Sequence, residues 1–135
     1  MTAEQIEKIR WLNRAFHAEK AAKAWLAKLE RDRSLAERIS RGLSSGGGST
    51  GNSTEDALVR LADTERETQE RLRELVAIRD EITAVISRLD DYDMQAILVR
   101  HYLAYETFEM IAEKMHYDES TVRRKHKKAL DMIAL

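Results

Sequence analysis

The chain has 135 residues, 43% hydrophobic and 35% charged, with a formal net charge of -1; this fits one modest domain or two small helical units and excludes a single large core. It has no cysteine, so neither a disulfide framework nor a thiolate metal site is available, and nothing calls for an oxidising compartment. No apolar run approaches the roughly 18 residues of a membrane span, and the charged first residues lack the apolar stretch of a signal peptide; a cytoplasmic protein is expected.

Proline is absent and all five glycines fall between positions 42 and 51, so the rest is free of the two strongest helix breakers and an all-α fold is predicted. Residues 1–41 hold ten Lys/Arg against six Asp/Glu, residues 42–90 six against ten, and residues 91–135 seven against eight. A basic helix followed by an acidic one points to a mutually screening pair.

In chain order, Ile6, Ile9, Leu12, Phe16, Ala22, Trp25, Leu26, Leu29, Ala36 and Ile39 recur at helical spacing, predicting one long amphipathic helix over 1–41 whose stripe weakens at Glu19, Lys20 and Lys23. Residues 42–52, GLSSGGGSTGN, read as a flexible linker long enough to reverse the chain. Ser53 or Thr54, followed by Glu55 and Asp56, is expected to cap a second long helix over 53–90. Its seam runs through positions 58, 61, 65, 68, 72, 75, 79, 82, 86 and 89, mostly Leu and Ile with polar breaks at Glu65, Thr68 and Arg79. Together these predict a long antiparallel coiled-coil hairpin. Val59, Val76 and Val85 lie on a second stripe, so homodimerisation through the N-terminal helices is expected.

Residues 91–135 break into shorter segments and predict a three-helix bundle. Phe108, Ile111, Ala112 and Met115 share one helix face, with Thr107 as cap and Ala112 small enough for a close crossing. After the turn HYD, Asp118 is placed to accept from the N–H groups of Ser120 and Thr121 and to open the last helix. Helix, short turn, capped helix is the helix-turn-helix plan.

In ESTVRRKHKKAL, residues 119–130, five cations occupy positions 123–128. At about 100° per residue, Val122, His126, Ala129 and Ile133 face inward with Leu130 on their flank. Ser120, Arg124, Lys127 and Lys128 face outward; Thr121 borders that face, and Arg123 and Lys125 leave on its two sides. Short polar groups at the helix start for base edges, with cations beside them for phosphates, are what a major-groove helix on double-stranded DNA requires. No acid lies between positions 120 and 130, so these charges are expected to be unpaired. The scattered histidines have no metal-ligand spacing, and no phosphate loop or nucleophile elbow is present; no enzyme activity and no cofactor is expected. Trp11, Trp25, His101 and His126 read as packing residues.

TFEMIAEKMHYDESTVRRKHKKAL resembles the region 4 helix-turn-helix of bacterial sigma factors, with Thr107, Glu109, Ile111, Val122, Arg123, Lys128, Ala129 and Leu130 in register. The whole chain, with its Gly/Ser-rich centre, acidic helix and LVRHYL lead-in, resembles small phage and prophage proteins of Gram-positive bacteria that carry this sigma-like end. The resemblance implies a transcriptional regulator in the bacterial host cytoplasm, and implies Glu119, Ser120, Thr121, Arg123 and Arg124 at the groove. Lys125, Lys127 and Lys128 complete the DNA-binding set. Two positions depart from the pattern: His116 stands where Gly is preferred, and Glu119 where a basic residue is usual. Two other readings fit the same features, an adaptor that binds RNA polymerase without autonomous DNA affinity, and a packaging component like a small terminase subunit.

Overall fold

In a computed structural model, which describes residues 1–43 and 51–135, every regular element is helical. The elements are α1 (Ala3–Leu12), α2 (Arg14–Leu43), α3 (Gly51–Ser87), α4 (Tyr92–Leu98), a π-helical turn (Val99–Leu103), α5 (Phe108–Met115) and α6 (Glu119–Met132). Most of the predicted linker, residues 44–50, lies outside the described residues. Two compact units form, one from residues 1–18 and 76–135 and the other from residues 19–75.

The single helix expected over 1–41 is two helices joined at Asn13, whose ψ of -6° departs from helical geometry. Asparagine offers the backbone local alternatives to helix, which accounts for a break there and not at the weakened stripe near Glu19. The start of α1 is set by a capping box: Thr2 accepts from the Gln5 N–H, and the Gln5 side chain accepts from the Thr2 N–H. Helix α3 begins at Gly51, so Ser53 and Thr54 lie inside its first turn and do not precede it.

In the unit of residues 19–75, Thr68 Oγ1 reaches the Trp25 carbonyl at 3.3 Å, and Arg33 pairs with Glu65 at 3.7 Å. Lys28 donates to Thr64 and to Asp32, each at 2.8 Å, and Thr64 donates to Asp32 at 2.6 Å. The bond from Lys28, then that from Thr64, holds the Asp32 carboxyl below its usual range. The buried positions of α3 here are Ala57, Thr64 and Thr68, and Leu58 is 54% exposed. The seam expected at Leu58 and Glu65 is therefore displaced by one residue at this end. The Thr64 hydroxyl has partners on α2, and Ala57 and Thr64 admit a close approach that Leu58 and Glu65 would obstruct.

The other unit has a core of Leu12, Ala15, Ile82, Ile86, Leu89, Met94, Leu98, Tyr102, Ala129, Leu130 and Ile133. Beside it, Ile97, Ile111, Ala112 and Val122 fill the crossing of α4, α5 and α6, with Phe108 and Met115 packed against them. Ile97, Ile111 and Val122 are fully buried, each contributing about 1.5–3 kcal/mol relative to exposure. Helix α6 is thus held by both clusters.

Candidate nucleic-acid interface

Three residues turn the chain from α5 into α6. Thr107 accepts from the Met110 N–H at 3.2 Å and starts α5. At its end His116 takes the left-handed conformation, φ 60° and ψ 42°, and the Tyr117 N–H reaches back to the Ala112 carbonyl at 2.9 Å. This is the Schellman stop usually assigned to glycine, here on one of the non-glycine residues that tolerate positive φ. The expected cap by Asp118 is absent: its carboxylate accepts no capping bond, and its backbone carbonyl receives the Thr121 and Val122 N–H groups at 3.0 and 3.1 Å. Extended φ and ψ at Asp118 suffice to open the helix.

Beneath α6 lies an aromatic and imidazole layer delivered by the π turn. The Ala104 N–H bonds to the Val99 carbonyl at 3.0 Å and the Glu106 N–H to Arg100 at 2.9 Å. Tyr102 is thereby turned into the core, where its hydroxyl shares a 2.6 Å hydrogen bond with His126 Nε2. Burial drives the His126 pKa down to about 4 and raises that of the Tyr102 phenol, so both are neutral at pH 7. His101 Nδ1 donates to the Glu106 carbonyl at 2.8 Å, which fixes its tautomer because a carbonyl can only accept. Its ring stacks on Phe108 with centroids 4.1 Å apart. Burial also lowers the His101 pKa.

Glu106 is 7% exposed and binds Lys114 at 2.6 Å and Arg100 at 2.9 Å. The bonds from Lys114, then Arg100, keep its carboxyl below the usual range and tie the π turn to α5.

On α6 itself, Val122, His126, Ala129 and Leu130 are buried, while Ser120, Arg124, Lys127 and Lys128 are exposed and Thr121 is half-buried. Arg124, Lys127 and Lys128 have no acid within ion-pair distance among the described residues. The other two cations of the run do, which corrects the expectation that all five are unpaired. Arg123 donates to Glu119 Oε1 from Nη2 at 2.8 Å and from Nε at 3.2 Å, and lies over the Phe108 ring at 4.9 Å. Lys125 meets Asp93 at 3.4 Å and lies 5.4 Å from the Tyr117 ring centroid. The Tyr117 hydroxyl also donates to Asp93; this bond, then that from Lys125, lowers the Asp93 pKa. Glu119 stands one residue outside the acid-free stretch, within i,i+4 reach. Asp93 is distant in sequence and arrives only through the packing of α4.

Two residues of α1 that sequence reasoning missed fix the far end of α6. Lys8, 8% exposed, donates to the Leu130 carbonyl at 2.8 Å, satisfying an orphan acceptor at the negative end of the helix. Gln5 Nε2 donates to Asp131 at 2.8 Å. The available signal was the TAEQ capping box, which orients Gln5. Among the described residues no three His, Cys, Asp or Glu side chains gather where they could hold a metal ion. No described helix is long and apolar enough to cross a membrane.

The family described as "Protein of unknown function (DUF1492)" matches residues 37–134, a span that includes α3 to α6. The chain belongs to this family. No curated protein and no solved structure matches it. Helix α1 and its Lys8 lie outside the family match although they belong to the same compact unit as α6.

Proposed function

We propose that the chain is a phage-type, DNA-binding transcriptional regulator. In this reading residues 91–135 act as a sigma region 4-like helix-turn-helix, with α6 entering the major groove of double-stranded DNA. The helices before and after the Gly/Ser stretch form an antiparallel coiled-coil hairpin that makes a homodimer. The observation that carries the reading is the partition of α6: one side is anchored by Val122, His126, Ala129 and Leu130, the other offers exposed, unpaired Arg124, Lys127 and Lys128. A fixed helix with free cations and short polar side chains at its start suits groove reading, Lys127 and Lys128 meeting phosphates and Ser120, Thr121 and Arg124 meeting base edges. Leu58, Val59 and Val76 are more than half exposed, which supports a second copy on the long helices.

The test is binding to random and phage-promoter duplexes over a salt series. Lys127→Ala/Lys128→Ala is expected to weaken all sequences alike and to reduce the salt slope by about one unit per contact. Arg124→Ala is expected to relax specificity by roughly 1–3 kcal/mol at one base pair. Absence of binding at low salt, or indifference to both variants, rules the reading out. A second reading, an adaptor that docks on RNA polymerase, is favoured by Tyr92, Val99 and Met110, which are 83%, 41% and 43% exposed in the same compact unit. Polymerase binding with no duplex binding at low salt selects it.

A further inference from the structure

We propose that Glu119 and Asp93 are internal stand-ins for DNA phosphate, holding Arg123 and Lys125 in their DNA-contacting positions in the free protein and surrendering them when a duplex binds. The inference rests on the DNA-reading function above. Its geometric basis is that both cations are fixed from two sides. Arg123 is held by Glu119 at 2.8 Å and by the Phe108 face at 4.9 Å, and Phe108 is itself backed by the stacked His101 ring. Lys125 is held by Asp93 at 3.4 Å and by Tyr117, whose hydroxyl also anchors that carboxylate. In each case the aromatic ring constrains the cation and the carboxylate presents an anionic oxygen of the kind a phosphate presents. Exchanging one oxygen anion for another leaves the rings in place, so the side chains need no search for their bound geometry.

The exchange carries a penalty. Each cation must leave its carboxylate before it can meet a phosphate, and an exposed ion pair is only a weak competitor. This penalty lowers affinity about two- to fivefold per pair. It applies to every sequence, so it damps overall affinity and leaves discrimination unchanged. The three unpaired cations, Arg124, Lys127 and Lys128, make the first contact.

The deciding measurement compares wild type, Glu119→Gln, Asp93→Asn and Arg123→Gln on two duplexes, one of random sequence and one selected from a random pool by the wild-type protein. Glu119→Gln and Asp93→Asn are each expected to tighten binding about two- to fivefold, by the same factor on both duplexes. The gain from Glu119→Gln is expected to vanish when Arg123→Gln is also present. A gain that persists without Arg123 reflects loss of negative charge in general and overturns the inference. A change confined to the selected duplex makes Glu119 a base reader and overturns it too. Wild-type binding that depends on Lys127 and Lys128 but is unaltered by Glu119→Gln and Asp93→Asn sinks the stand-in role alone. No binding by any of these proteins at low salt removes the DNA-reading function itself.

Discussion

His126 faces the core from the middle of a helix whose outer side is crowded with cations, and its burial forces it to stay neutral. Its folded pKa, about 4, lies below the ordinary value of 6.5. The unfolded chain therefore binds more protons between these values, and stability is complete above about pH 6.5 and declines as the pH falls toward 4. The span corresponds to roughly 3 kcal/mol, and His101, shifted in the same direction, adds to it. Thermal melts from pH 7 to pH 4.5 are expected to show this decline, with a shallower slope in His126→Gln. Tyr102→Phe removes the hydroxyl partner of His126 and is expected to lower stability by about 1–3 kcal/mol at pH 7. The inward position of His126 was legible from helical periodicity. Its partner was not, because the π turn alters the facing of Tyr102 in a way that regular 3.6-residue spacing does not anticipate.

Among the elements, α5 and α6 were the most legible and α1 the least. Thr107, the face of Phe108, Ile111, Ala112 and Met115, and the left-handed His116 follow from local rules that depend on neighbours a few residues away. The cap at Asp118 failed because an extended backbone alone can start a helix whose first carbonyl bonds are made. Asp91, one of three clustered acids, caps α4 by accepting from Met94 at 3.0 Å, whereas Asp93, two residues on, turns to Lys125. Composition could not divide those roles. The docking of α1 on α6 is non-local, and nothing in the spacing of Ile6, Ile9 and Leu12 names α6 as the partner. Lys8→Met is expected to lower stability by about 1–3 kcal/mol by stripping the Leu130 carbonyl of its donor, measured by urea titration. If Lys8 acts only as a positioning residue, the same variant weakens duplex binding without changing the salt slope.

For the whole molecule, all-helical structure was readable from the missing prolines and the confinement of glycine to one stretch. The displaced seam was not, since Leu58 outranks Ala57 and Thr64 on any hydrophobicity scale, and only the Asp32 and Lys28 side chains across the pair make burial of Thr64 favourable. Exposed Leu58, Val59 and Val76 lead to an expectation about assembly. Light scattering across a concentration series should give a dimer, and Leu58→Lys/Val59→Lys should shift it toward the monomer. A mass well above a dimer would instead favour the packaging component, in which helix-turn-helix and coiled coil build a ring.

The turn at Val99–Leu103 closes through a bond from Ala104 to Val99, five residues apart, and so contains one residue more than an α-helical turn. It behaves as a vernier. Regularising the turn to α-helical spacing with all its residues kept would swing Tyr102, His101 and Arg100 around the helix axis and cut their bonds to His126 and Glu106 together. Substitutions at Tyr102 and His126, which share one buried hydrogen bond, are expected to occur together among relatives, a correlation that an alignment of family members can check.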